Sequence, residues 1–294
     1  MSITTAPDKA DRTRPQNDPV DHHGHEELIP GAGLAADRVA GHWLLARLGK
    51  RVLRPGGREL TQKMLDALAV SPRDDVVELA PGMGITTSQV LAANPASYVG
   101  VDRDEVVVER MTSQMNGSSR RAVNGSASDT GLPDRCADVV FGEAYLTMQG
   151  AKQKNRILAE LARISRPGAR LGLHEVAFAP DDVTEADAER AAHDLQSTIK
   201  VNVTPLTIAG WRKLLDEAGF DVSHCSTAPL HLLEPRRLVA DEGITGAARF
   251  VANVIKDKPA RERVMSMRKA MRDNAEHLQA VTMTAIRRSD EAPS

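Results

Sequence analysis

Aromatic residues make up only 3% of this 294-residue chain, so its core must be assembled from Ala, Val, Leu, Ile and Met. Cysteine is equally scarce. Cys136 and Cys225 form no C-x-x-C pair and cannot build a disulfide framework, which leaves them as small buried hydrophobes. No apolar run approaches the roughly 20 residues that a bilayer span requires. The opening stretch "MSITTAPDKADRTRPQNDPV" has no apolar segment of the signal-peptide type. These absences point to a soluble cytoplasmic protein with no integral membrane segment. A net charge of −2 supplies no general field for gripping phosphates, which argues against nucleic acid as the principal partner.

What is present is an ordinary globular composition, 41% hydrophobic and 27% charged, with a strongly punctuated order. Residues 1–28 are polar, proline-bearing and aperiodic, and read as a disordered tail. Within them "DHHGHEE" groups His22, His23 and His25 with acids, but a flexible tail offers no preformed metal geometry. No metal site is expected. Helical periodicity from Gly33 to Ala69 (Val39, Trp43, Ala46; then Leu60, Met64, Leu68) is interrupted by "RPGG" at 54–57. This N-terminal cap spans 29–72.

Strand and helix signals then alternate. Strands are expected at 76–80, 97–102, 121–125, 137–143, 170–178 and 220–228, with amphipathic helices at 105–115 and 152–165. "RPGAR" stops the second of these, and Thr207 and Gly219 bracket a further helix. Such alternation implies an α/β fold with a mostly parallel, doubly wound sheet. The core spans 73–234. A helical insertion or lid follows at 235–277, and β-branched Val281, Thr282 and Thr284 favour a last strand within 278–294.

In such a sheet, ligands bind at the carboxyl ends of the strands, near the reversal of strand order. The first strand ends in "ELAPGMG", where Gly82 and Gly84 let the chain turn sharply and bring backbone close to a ligand. Thr87 stands where a dinucleotide fingerprint needs its third glycine, so the signal for a nicotinamide or flavin is weak. The turn carries an acid instead. Glu78 would repel pyrophosphate but suits a ligand bearing ammonium or sulfonium charge. A second acid, Asp102, ends the next strand about 20 residues beyond the turn, the position of a carboxylate that accepts from both ribose hydroxyls.

In order and spacing, "VELAPGMG", "YVGVD", "GSASDTGLPDRCADVVFGE" and "RILAELARISRPGARLGLHEV" resemble the successive motifs of class I S-adenosylmethionine-dependent methyltransferases. The nearest flavour is the small-molecule branch that includes the ubiquinone and menaquinone C-methyltransferases. The resemblance implies a seven-stranded Rossmann-like sheet and S-adenosyl-L-methionine as cofactor. It implies that Glu78, Ala80, Gly82 and Gly84 wrap the methionine part, that Asp102 holds the ribose, and that the Ala127 backbone meets adenine. Ser126 replaces the acid that the family often has for the adenine amino group, and Asp129 is a possible substitute.

Methyl transfer from a sulfonium is an in-line displacement, so the protein chiefly aligns the partners and excludes water. A base is needed only where the acceptor must lose a proton. Glu143, ending strand four, can orient the acceptor, contact the cofactor or cap the following helix. His174 on strand five is the better candidate base because imidazole titrates near neutrality, with a structural role as its alternative. Glu175 faces the opposite way. Tyr145, Met148 and Trp43 read as packing, and His42 beside Trp43 as a possible cover over the acceptor. Strand four lacks both the Asn/Asp-Pro-Pro-aromatic and the Pro-Cys signatures of base- and glutamine-modifying enzymes, which with the near-neutral charge points to a small or lipophilic acceptor. Two other functions fit the same turn, a NAD-dependent oxidoreductase and a catalytically silent cofactor-binding regulator. Oligomeric state and the methylated atom stay open.

Overall fold

Two helices precede the first strand, α1 (Gly41–Arg47) and α2 (Gly57–Leu68). The computed structural model describes residues 29–31 and 33–289, so the expected tail and its three histidines lie outside the described residues. The helix expected from Gly33 begins only at Gly41. Tertiary contacts explain the delay. The Arg263 guanidinium donates to the carbonyls of Ala36 and Val39, and Arg47 donates to Leu34 O at 2.7 Å, so side chains take acceptors that a longer helix would use itself.

The alternation then runs β1 (Asp75–Leu79), α3 (Ile85–Ala92), β2 (Ser97–Asp102), α4 (Glu105–Gln114), β3 (Arg120–Asn124), β4 (Ala137–Glu143), α5 (Ala151–Ile164) and β5 (Ser165–Phe178). It continues through α6 (Glu185–Ile199), β6 (Leu206–Thr207), α7 (Ile208–Glu217), β7 (Phe220–Pro229), α8 (Pro235–Lys256), α9 (Lys258–Asp273) and β8 (Leu278–Arg287). The Thr207 side chain accepts from Gly210 N, as an N-cap should. Strand order is β3-β2-β1-β4-β5-β8-β7, parallel except where β8 pairs antiparallel with both of its neighbours. The sheet has eight strands rather than seven because the two-residue β6 pairs beside Ala177–Phe178 of β5. β5 also starts five residues earlier than the "RPGAR" stop suggests. A register shift against β4 takes up Arg166 to Ala169, so the strand tolerates Pro167 and Gly168 at its edge.

Alternate residues of each strand face two cores. One face buries Val77, Val99, Val140, Leu171 and Met283 against α5 and α7, where Ile157, Leu161 and Trp211 are fully enclosed. The other buries Val76, Tyr98, Val139 and Phe141 under α2, α3 and α4. A side chain on Gly172 would press on Leu68 at 2.8 Å, and its absence lets α2 lie directly on β5. A third cluster joins α1, α6, α8 and α9 around Leu45, Leu195, Phe250 and Met267. The α1–α2 connector is fastened to α8 by buried charge. Lys50 Nζ lies 3.6 Å from Asp241 and 3.7 Å from Glu242, while Glu242 accepts from the backbone of Arg51 and Val52 and Asp241 from that of Arg58. Strand order reverses between β1 and β4, and the carboxyl ends of those strands carry the candidate site.

Candidate functional site

After β1 the chain adopts left-handed backbone at three alternate residues, Ala80 (φ +52°), Gly82 (+56°) and Gly84 (+73°). At Ala80 this costs about 1 kcal/mol that glycine would avoid, and Ala80 N is tied to Val101 O at 2.9 Å. The two glycines serve different ends. A Cβ on Gly84 would meet Met111 Sδ at 3.1 Å, so Gly84 permits close packing on α4. A Cβ on Gly82 would meet nothing nearer than Ala80 O at 3.9 Å, so backbone there is open to an approaching ligand.

Asp102 ends β2 beside this turn. Its carboxylate accepts from Gly82 N and from Asp104 N, the latter at 3.0 Å, while burial raises its pKa. The loop after β3 folds back on the same end. Gly125 N donates to Asp102 O at 2.9 Å, and Ser126 and Asp129 pair their backbones at 3.2 and 2.9 Å. Ser126 Oγ lies 3.0 Å from Ser128 Oγ, and Ala127 is half-buried against the core. Turn, Asp102 and the 126–127 loop therefore share one corner. Glu78 backs that corner from inside. Only 3% exposed, it accepts from Thr87 Oγ1 at 2.7 Å and Tyr98 OH at 2.5 Å. Burial pushes its carboxyl up to about 7 against the pull of those hydroxyls, and the nearby Glu143 charge adds to the rise.

Glu143 ends β4 on the same face and collects four partners. Oε1 accepts from Thr61 Oγ1 at 2.6 Å and lies 2.8 Å from His174 Nδ1, while Oε2 meets Arg54 Nη1 at 3.0 Å and the Thr86 hydroxyl. Burial alone would raise this carboxyl. The Arg54 charge, His174 and the Thr61 hydroxyl outweigh it and hold Glu143 at about 2. An ionised acceptor at Oε1 favours the proton on Nδ1, so the neutral imidazole presents its lone pair at Nε2. Nε2 is buried and has no partner, as are Arg54 Nε and Nη2. The arrangement is a histidine oriented by a fixed anion, beside a turn with exposed backbone.

Comparison with known proteins agrees with this geometry. The methyltransferase-domain family profile matches residues 76–168. An uncharacterized protein of Haemophilus influenzae is 32% identical over 244 residues, covering 82% of this chain and 94% of its own. The 27-O-demethylrifamycin SV methyltransferase of Amycolatopsis mediterranei is 27% identical, covering 68% and 66% respectively. The chain belongs to the class I S-adenosylmethionine-dependent methyltransferases. Its fold matches the Haemonchus contortus phosphoethanolamine N-methyltransferase 2, solved with phosphomonomethylethanolamine and S-adenosylhomocysteine, at a TM-score of 0.64 and 11% identity. That superposition covers 90% of this chain and 60% of the other.

S-adenosylmethionine is the cofactor of this methyltransferase, and its residues fit that molecule. The open space at Gly82 admits a ligand against backbone, and the Asp102 carboxylate stands at the same turn, bonded to Gly82 N. Among the described residues no three His, Cys, Asp or Glu side chains come together as a metal site, and no helix is long and apolar enough to cross a membrane. Glu175 lies on the opposite face from His174 and accepts from the backbone of Tyr145, Leu146 and Thr147, fixing the bend after β4. Tyr145 is buried packing. The His42 ring packs tilted against Trp43 at 4.8 Å, and burial, with Arg103 nearby, lowers its pKa to about 4.

Arg54, Thr61, Thr86 and Tyr98 also contact Glu143 or Glu78, and sequence reasoning did not single them out; Thr87 drew notice only as the residue replacing a third glycine. Arg54 stands in "RPGG", read only as a helix break. Tyr98 was findable, since alternation places it on the face that Glu78 occupies one strand away.

Proposed function

We propose that this methyltransferase acts on a small molecule with a lipophilic body, at an atom that must lose a proton, and that His174 accepts that proton. One observation carries the reading: His174 Nε2 is buried without a partner while Nδ1 is held 2.8 Å from the Glu143 carboxylate. The cofactor supplies an electrophilic methyl on a sulfonium centre. Gly82 and Gly84 would hold its methionine part against backbone, Asp102 would hold the ribose hydroxyls, and Ser126 and Ala127 would border the adenine. Glu78 would face the cationic end, as would Glu143, whose fixed charge also keeps His174 in the tautomer of a base. Displacement needs no further catalytic group, so alignment and exclusion of water supply the rest. The two relatives named after small acceptors, a demethylrifamycin and a phosphoethanolamine, support an acceptor of that size.

The test is transfer of labelled methyl by the full-length protein into a metabolite extract, then kinetics of His174→Gln on the product found. Turnover should fall about 100-fold or more at pH 7, with S-adenosylhomocysteine affinity unchanged and the deficit shrinking as pH rises. Unchanged turnover would remove the base. Tight cofactor binding with no methylated product would favour the silent regulator.

A further inference from the structure

The outer surface of α8 is unusual for a protein face with no partner. A break at Gly243 (φ +72°) divides this helix, and beyond it Ile244, Ala248, Val251, Ala252 and Ile255 recur at i, i+4, i+7, i+8 and i+11. They form one apolar stripe, all of it exposed, with Ile244 at 78%, Val251 at 45% and Ile255 at 60%. Ala247, Phe250 and Val254, on the adjoining side, are buried against the helical cluster. The stripe is therefore surplus to the packing of α8.

The charges beside it identify the occupant. Residues 243–256 contain no acid. Arg249 and Lys256, seven residues apart, project together along one flank of the stripe and are both exposed. Exposed Lys258 follows, and Arg261 folds back to donate to Ile255 O at 3.0 Å. None of these four cations makes an ion pair among the described residues. Asp257, the acid nearest the stripe's end, is used as the N-cap of α9, accepting from Ala260 N at 3.0 Å. A second copy of the chain fits this face poorly. An antiparallel two-fold contact through the stripe would set Arg249 and Lys256 on the same flank as their own counterparts with no acid between.

We propose that the α8 face from Ile244 to Ile255 docks this methyltransferase on an anionic lipid surface. The apolar stripe sinks into the headgroup boundary and the flanking cations meet lipid phosphates, the arrangement of an interfacial amphipathic helix. The same helix holds the α1–α2 connector through Asp241 and Glu242, and that connector carries Arg54 to Glu143. The proposal stands independently of the acceptor and of His174.

Flotation of the full-length protein with vesicles tests it, using phosphatidylcholine alone and with about a third phosphatidylglycerol. Binding is expected to the mixed vesicles, little to phosphatidylcholine alone, and less as salt rises. Ile244→Ser with Ile255→Ser should weaken binding about tenfold or more, since the apolar contact is lost. Arg249→Glu with Lys256→Glu should weaken it at least as much, each neutralised cation being worth about fivefold. Both variants should keep the wild-type circular dichroism spectrum and S-adenosylhomocysteine affinity, because the altered side chains face solvent. No binding to mixed vesicles at low salt would overturn the proposal, as would binding that neither variant changes. Light scattering that shows a dimer dissociated by the Ile variants would replace the lipid with a second copy.

Discussion

Glu78 and Glu143 sit on adjacent parallel strands, on the same face of the sheet, and both are withdrawn from water, yet their carboxyls are shifted in opposite directions. Glu78 is met by two neutral hydroxyls and is pushed up to about 7; Glu143 is met by a guanidinium and an imidazole and is held at about 2. Burial is common to both, so the partners decide. Hydroxyl donors only moderate the cost of burying a carboxylate, whereas an adjacent cation reverses it. The two acids are consequently suited to different tasks. Glu143 is a permanent anion that can orient His174. Glu78 responds to charge placed nearby, as a cationic ligand would place it.

The contrast can be broken most forcefully at Arg54. Arg54→Met leaves Glu143 buried without its guanidinium and should cost about 3–5 kcal/mol of stability at pH 7, read by chemical denaturation. Adding Glu143→Gln should recover much of that loss. A cost below about 1 kcal/mol would mean that Arg54 does not govern Glu143. The next effect comes from Glu78. Its folded value lies above its unfolded value of 4.5, so between about 4.5 and 7 the native state holds a proton that the unfolded chain has released. Stability should therefore fall as pH rises through that window, by up to about 3 kcal/mol, and Glu78→Gln should remove the slope. Glu143 contributes with the other sign and lower down: its stabilisation is complete above 4.5 and is lost as pH falls toward 2. A slope unchanged in Glu78→Gln would assign the window elsewhere. The smallest effect sharpens the site around the two acids. Asp102→Ala should weaken S-adenosylhomocysteine binding by about 1.5–3 kcal/mol by calorimetry, from lost charged hydrogen bonds; an unchanged dissociation constant would refute the ribose assignment.

The parts of this molecule legible in its sequence are those set by neighbours in the chain. The apolar run before Ala80, the glycine turn and Asp102 closing the next strand follow from local pattern, and the register Glu78↔Gly100 and Leu79↔Val101 brings turn and acid together. Thr207 as a cap and β8 as a strand follow the same way, from side-chain chemistry and β-branched alternation. What escaped was set by distant contact. Arg54 and Thr61 reach Glu143 across more than 80 positions, and nothing in "RPGG" marks its arginine for that use. The start of α1 was missed because Arg263, far along the chain, claims the carbonyls of Ala36 and Val39. The early start of β5 depends on a bulge that only its pairing with β4 defines.

Carbon-13 NMR of the protein labelled at the glutamate carboxyl carbons, titrated from pH 3 to 9 alongside Glu78→Gln and Glu143→Gln, reads the two charges directly. One carboxyl should titrate near 7 and vanish in Glu78→Gln, while the signal lost in Glu143→Gln should remain that of an ionised group down to about pH 3. Two carboxyls titrating together in the ordinary glutamate range would contradict the account.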